Sequence, residues 1–166
     1  RDITVRKRNL QALQEAQARL ETLVAELEAE RFRLEQAQAV AAIGYWVTSV
    51  DRSEVTWSDE IYRIFERNAA EFTPTGPAII DMVHPDDRAE LERAVEAALA
   101  DGETHRYEHR IVVGDGQVKT VEASMRAVYD SESRPVQIIG ACRDITAAKE
   151  TERVLRSENE ELEARV

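Results

Sequence analysis

The tetrapeptide Arg-Asp-Ile-Thr occurs twice, at Arg1-Asp2-Ile3-Thr4 and at Arg143-Asp144-Ile145-Thr146, and the segments behind the two copies constrain the fold more than any other feature. Each copy leads into a helix-forming run rich in Ala, Glu, Gln, Leu and Arg. The two runs share a phase. A Leu lies ten residues after the Ile in both (Leu13 and Leu155), and another lies seven further on (Leu20 and Leu162). A short strand-like tail, a Thr and a heptad helix thus recur as one unit. The roughly 100 residues between the units are enough for one compact domain. The chain reads as helix, globular module, helix. Residues 1–4 are expected to be the tail of a preceding domain, 5–42 a linker helix, 43–146 the module and 147–166 a second helix.

No Pro or Gly interrupts the first run from Thr4 to Ala42. Thr4 is the expected N-cap, because its hydroxyl can accept from a free N–H of the first turn. Such a helix would be roughly 55–60 Å long at about 1.5 Å per residue. With Ile3 as a heptad a position, the a series runs Ile3, Leu10, Gln17, Val24, Arg31, Gln38. The d series runs Arg6, Leu13, Leu20, Leu27, Leu34, Ala41. Four successive Leu at d are a coiled-coil signal, and polar residues at a lower stability while fixing register or partner number. Glu21, Glu28 and Glu35 fall at e and Glu30 at g, so in a parallel dimer Glu30 would face Glu35 of the partner subunit. The second seam carries Leu155, Asn159 and Leu162. These seams predict a parallel homodimer of marginal packing, whose register can shift.

Composition narrows the function classes. A net charge of −11, from 33 acidic and 22 basic residues, argues against a nucleic-acid surface, which rests on Lys and Arg neutralising phosphates. It disfavours an anionic membrane surface equally. No apolar run approaches the roughly 20 residues that span a bilayer. A single cysteine permits no internal disulfide and points to a reducing, cytoplasmic setting. The abundance of Ala, Arg and Glu is compatible with a bacterial source.

The middle module opens at Gly44, which suits a helix stop. Residues 45–50 are aromatic and β-branched and read as a strand. Asp51-Arg52-Ser53 is a turn, and Glu54 to Trp57 the return strand. Ser58 or Asp59 can cap a short helix that presents Ile61, Ile64 and Phe65. Residues 68–77 hold two Pro and a Gly and read as loop. A short helix follows through Ile79, Ile80 and Val83. In His84-Pro85-Asp86-Asp87-Arg88, Pro at the first position and two Asp in the first turn are helix-start chemistry. Leu91, Val95, Ala98 and Leu99 form one face of that helix, and Asp101-Gly102 ends it. Strands are then expected over 105–113, over 117–129 beyond a Gly114-Asp115-Gly116 turn, and over 136–142. Helices grouped inside an antiparallel strand order define an α+β fold.

These residues resemble a PAS sensor domain. The β-β-helices-β-β-β order carries the likeness, with "YW…TWSDEIYRIF", "HPDDR", the "YEHRIVVGDG" hairpin and the closing "RDIT". The resemblance covers about 43–146. It implies a five-stranded sheet whose inner face, with the short helices, forms a ligand or signal pocket. It implies dimers that transmit through flanking helices to an output domain, with an upstream PAS-like domain before residue 5. "LRSENEELEARV" resembles the helix leading into the kinase region of multi-PAS sensor histidine kinases. Another multi-domain regulator, such as a cyclic-dinucleotide cyclase, is the alternative, with the module acting as a ligand-free spacer. At the junction, Thr146 is expected to cap the outgoing helix and Asp144 to hold Arg or backbone N–H groups.

Catalytic constellations are absent from the sequence. There is no Ser-His-Asp spacing, phosphate loop or CxxC. Asp86 and Asp87 have a structural reason in the helix start. His84 reads as a cap or turn residue. His105 and His109 share a strand face but would lie about 13 Å apart, too far for one metal ion at Zn–N lengths of about 2 Å. Cysteinyl-flavin members of the resembled family carry an Asn-Cys-Arg-Phe-like segment on a helix, whereas Cys142 falls in the last strand. Haem-binding members place a His on the long helix, and 86–100 has none. No cofactor is predicted; a non-covalent flavin or small metabolite is left open. The candidate pocket residues are Trp46, Trp57, Tyr62, Met82, His109, Met125 and Cys142.

Overall fold

A computed structural model describes residues 2–165. The chain divides into two units, 1–41 and 42–166. The first is one helix, α1 (Asp2–Ala41), which buries no residue. It starts at Asp2, so Ile3 and Thr4 lie inside the helix, where neither a strand-like tail nor a Thr4 cap forms. Helix propensity simply continues to the end of the run, and Arg1 lies outside the described residues. The d-position Leu13, Leu20, Leu27 and Leu34 are 54–69% exposed. Two of the three polar a residues are tied within their own helix: Gln17 donates to Glu21 at 3.3 Å and Arg31 to Glu35 at 3.0 Å. Arg33 pairs with Glu30 at 3.0 Å. The repulsion expected between Glu30 and Glu35 across a dimer is therefore reduced in each helix, by pairs worth about 0.3–0.5 kcal/mol.

The second unit begins with Ala42, whose φ of +51° makes it the left-handed residue that ends the helical path. Gly44, the stop expected from sequence, instead belongs to β1 (Ile43–Ser49). Its missing Cβ has another purpose: a Cβ there would lie 2.5 Å from the side chain of Ile61. β2 (Val55–Trp57) and α2 (Asp59–Ile64) come next. Ser58 occupies the N-cap of α2 but its hydroxyl makes no cap bond; it accepts from the Tyr45 N–H at 3.0 Å instead. α3 (Gly76–Met82) starts inside the stretch read as loop, because Thr75 caps it and Pro77 has the φ a first turn needs. The 3₁₀ turn Pro85–Asp87 leads into α4 (Arg88–Asp101), which ends at Gly102 with φ +69°. His84 caps that turn, its Nδ1 accepting from the Asp86 N–H at 3.3 Å.

β3 (His105–Val113), β4 (Gln117–Tyr129) and β5 (Pro135–Asp144) complete a five-stranded sheet in the order β2-β1-β5-β4-β3. Every neighbouring pair is antiparallel. The chain leaves one sheet edge after β2 and returns at the other with β3, so α2, α3 and α4 lie over one face. Period-2 alternation sends His109, Ile111 and Val113 of β3, and Val121, Ala123, Met125 and Ala127 of β4, into that face, all buried. Ile61, Ile64 and Phe65 cover one end with Trp57; Leu91, Val95 and Ala98 cover the other with Met125 and Ile138. α5 (Thr146–Ala164) then leaves the sheet.

Candidate functional site

Between the sheet and its helices lies a cavity of about 100 Å³. β1 supplies Trp46 and Thr48, β5 supplies Ile138 and Cys142, and α4 supplies Leu91 and Val95. The position of Trp46 depends on Gly140, its cross-strand neighbour, since a Cβ there would collide with the indole. Of the seven residues named from sequence, Trp46, Trp57, His109, Met125 and Cys142 line the cavity. Tyr62 and Met82 do not. Tyr62 packs edge-on against Trp57, with ring centroids 5.2 Å apart. Met82 belongs to the buried cluster with Ile64 and Val121.

Thr48, Arg52 and Tyr107 also line the cavity, beyond the residues that sequence reasoning named. Thr48 and Tyr107 stand two residues from Trp46 and His109 on their strands, so the period-2 rule could have found them. Arg52 sits in a surface-type turn and carried no such signal. Its φ is +61°, its carbonyl accepts from the Gly76 N–H at 3.1 Å, and its guanidinium makes a two-pronged pair with Glu92 of α4 at 2.8 and 3.1 Å. This pair ties the β1–β2 turn to α4 at the rim of the cavity.

His109 is the unusual member. It is 8% exposed, and its Nδ1 is buried without a hydrogen-bond partner. Burial pulls its pKa down to about 4, with Asp87 acting weakly in the opposite sense. The imidazole is therefore neutral at neutral pH. Tyr107 stacks on it at 5.2 Å between centroids, and burial raises the phenol's pKa. Burial also pushes the Cys142 thiol up to about 12, with Asp144 adding to the effect. That thiol is no thiolate nucleophile. Among the described residues no cluster of His, Cys, Asp or Glu could hold a metal ion. His105 instead pairs with Asp101 at 2.9 Å.

The HPDDR segment is a clamp. Both Asp87 oxygens are held by Arg110, whose Nη2 and Nε donate at 2.7 and 2.9 Å. The Arg110 backbone N–H adds a third bond at 2.7 Å. Val83 bridges to Ile111, so this segment docks on the outer edge of β3.

At the other end, β5 runs directly into α5. The N-cap position of α5 is Ile145, and Thr146 is the first helical residue rather than the cap. An apolar Ile cannot cap, so the Asp144 carboxylate takes the Thr146 N–H at 2.9 Å. The Thr146 hydroxyl accepts from the Thr120 N–H of β4 at 3.0 Å, and the Ile145 N–H donates to the Thr120 carbonyl at 2.9 Å. Ile145 is buried. Lys119 lies 3.9 Å from Asp144, and Lys149 of α5 reaches Glu108 of β3 at 2.8 Å. Arg143 faces Glu122 at 3.4 Å. Asp2, Ile3 and Thr4, the matching residues of the first copy, are helical and form no such joint.

No described helix is long and apolar enough to cross a membrane. Comparison with known proteins agrees with the strand order and the helix placement. The chain is 31% identical over 155 residues to a blue-light-activated histidine kinase of Brucella anthropi, covering 91% of this chain and 29% of that protein. It is 24% identical over 130 residues to a probable diguanylate cyclase, DgcE, of Escherichia coli, covering 78% of this chain and 12% of that one. The chain thus spans less than a third of either relative. A sensory box histidine kinase/response regulator structure from Burkholderia thailandensis superposes with a TM-score of 0.67 at 26% identity, over 80% of this chain and 98% of that one. Residues 54–142, just over half of the chain, match the PAS fold family (PAS_3), and the chain belongs to that family.

Proposed function

We propose that this chain is the sensory and dimerisation segment of a cytoplasmic signal-transduction protein, with a sensor histidine kinase as its output. It joins an upstream PAS-like domain to the output domain and forms a parallel homodimer. The observation that carries this reading is the continuity of β5 and α5. Ile138 and Cys142 of β5 line the cavity; two residues beyond Cys142, Asp144 holds the start of α5. A shift of the cavity wall reaches the outgoing helix through a joint with no flexible loop. Leu155 and Leu162 of α5 are 56% and 61% exposed, as an unpaired seam would be. Each such Leu removed from water contributes about 1.5–3 kcal/mol, while Gln17, Arg31, Gln38 and Asn159 keep two registers within a few kcal/mol. The relation to DgcE supports a diguanylate cyclase output as the second reading.

Blue-light activation belongs to the Brucella anthropi relative by name. A flavin does not fit the present cavity. An apolar cavity of about 150 Å³ holds one benzene ring, so roughly 100 Å³ leaves no room for the three fused rings of a flavin. The signal is a smaller ligand, or a strain passed on from upstream. The test uses the full-length protein. Replacing Gln17, Arg31, Gln38 and Asn159 with Leu is expected to lock one register, abolishing the response of output to signal while native mass spectrometry still finds a dimer. An unchanged response, or a monomer in the unmodified protein, would sink the relay.

A further inference from the structure

Three features of the cavity together specify the chemistry of what it takes. The first is His109, which lines the cavity and whose Nδ1 is buried without a hydrogen-bond partner among the described residues. Unpaired buried polar atoms are uncommon in native folds and call for an explanation. A neutral imidazole offers either a lone pair or an N–H at this nitrogen, according to tautomer. Tyr107, stacked on the ring at a 22° interplanar angle, fixes its plane.

The second feature is charge. Arg52 is the cationic side chain of the lining, and Glu92 already occupies it with both oxygens. Asp87, the carboxylate nearest His109 in effect, is likewise taken by Arg110. A carboxylate ligand would have to displace Glu92, and a cationic one would find no free anion. The third feature is size. An apolar cavity of about 150 Å³ holds one benzene ring, so 100 Å³ sets the scale at one small ring at most. Trp46, Trp57 and Met125 make much of the remaining wall apolar and polarisable, and the Thr48 hydroxyl in that wall is taken by the Ser49 carbonyl at 3.2 Å.

We propose that the cavity binds a small uncharged molecule, a single aromatic ring or compact aliphatic of that size bearing one hydroxyl, carbonyl or N–H group that bonds to His109 Nδ1. This rests on the sensory reading and names the class of its ligand.

The probes are phenol, benzene and benzoate, titrated against the full 166-residue chain by isothermal calorimetry and by nitrogen-detected NMR of the histidine rings. Phenol is expected to bind about fivefold to tenfold more tightly than benzene, the value of one hydrogen bond, and to shift the His109 Nδ1 resonance. Benzoate is expected to bind more weakly than either. In His109→Leu the phenol advantage over benzene should vanish. If that variant does not fold, the His109 Nδ1 shift in the unaltered chain decides the matter. Tighter binding of benzoate would assign recognition to Arg52 and overturn the proposal. So would equal affinity for phenol and benzene, or no binding of any probe. In those cases a dimer whose register still controls output would show that the relay stands without this ligand class.

Discussion

The indole of Trp46 fills the space beside its cross-strand partner Gly140 where a side chain would begin. A Cβ at 140 would strike that ring and would also stand 2.5 Å from the Ser124 carbonyl oxygen on β4. One glycine therefore sets both the spacing of two central strands and the wall of the cavity. Gly140→Ala is expected to cost about 1–3 kcal/mol, the usual range for overpacking, and to push Trp46 toward the cavity. Urea denaturation followed by tryptophan fluorescence measures both. An Ala variant with unchanged midpoint and spectrum would mean that Trp46 does not rest on this site.

Asp86 and Asp87 look equivalent in sequence, yet only one is clamped. Asp87 makes three charge-assisted contacts with Arg110, whereas the Asp86 side chain is 76% exposed and 3.9 Å from the same guanidinium. Asp87→Asn should destabilise the fold by about 1–3 kcal/mol. Asp86→Asn should stay within about 0.5 kcal/mol. A double-mutant cycle of Asp87→Asn with Arg110→Gln should show the two losses to be less than additive. Equal effects of the two Asp variants would contradict the clamp.

The pH dependence of stability carries a signature of His109. Its folded pKa is near 4 against the ordinary 6.5, so between those values the unfolded chain binds a proton that the folded chain refuses. Stability from this residue is complete above about pH 6.5 and falls as the pH drops toward 4. The full shift corresponds to something on the order of 3 kcal/mol. Asp87 acts at lower pH: its carboxyl is held at about 2 by Arg110, so its contribution is lost only as the pH falls from 3.8 toward 2. Denaturation at pH 7, 5.5 and 4.5 separates the two. His109→Leu should flatten the slope between pH 6.5 and 4 relative to the unaltered chain. Parallel slopes would show that His109 titrates normally.

How much of the fold is legible in the sequence depends on the range of the interactions. β3 and β4 fall where alternation puts them, at His105–Val113 and Gln117–Tyr129, because sheet burial imposes a period of two. The helix faces through Ile61 and Leu91 are equally plain. Caps are not. Thr4, Ser58 and Thr146 each have the chemistry of an N-cap, but Thr4 lies inside α1 and the other two serve N–H groups of the sheet, since a hydroxyl can serve any nearby N–H and only tertiary context selects which. Ser58 goes to Tyr45 and Thr146 to Thr120. The cavity is half legible for a similar reason. Strand residues such as Trp46, His109 and Cys142 emerge from phase, but Arg52 enters through a turn and a bond to Glu92, forty residues away, a relation no local pattern encodes.

The joint between β5 and α5 depends on a substitution of side chain for backbone. β5 pairs with β4 as far as Val121 and Asp144; beyond it, the Thr120 N–H would face no strand carbonyl. The Thr146 hydroxyl supplies the acceptor at 3.0 Å, while Thr120 returns its carbonyl to the Ile145 N–H at 2.9 Å. Thr146→Val keeps the shape and removes the acceptor, leaving the Thr120 N–H unpaired at about 1–3 kcal/mol. Thr146→Ser keeps the hydroxyl. In hydrogen exchange, the Val variant should lose protection at Thr120 and in the first turn of α5, while the Ser variant stays near the unaltered chain and strand β3 is unaffected in both. Asp144→Asn should loosen the same turn more mildly, because an amide oxygen can still accept from the Thr146 N–H. If the Val and Ser variants exchange alike, the hydroxyl does not couple the sheet to the helix, and a displacement of β5 would reach α5 only through the covalent chain.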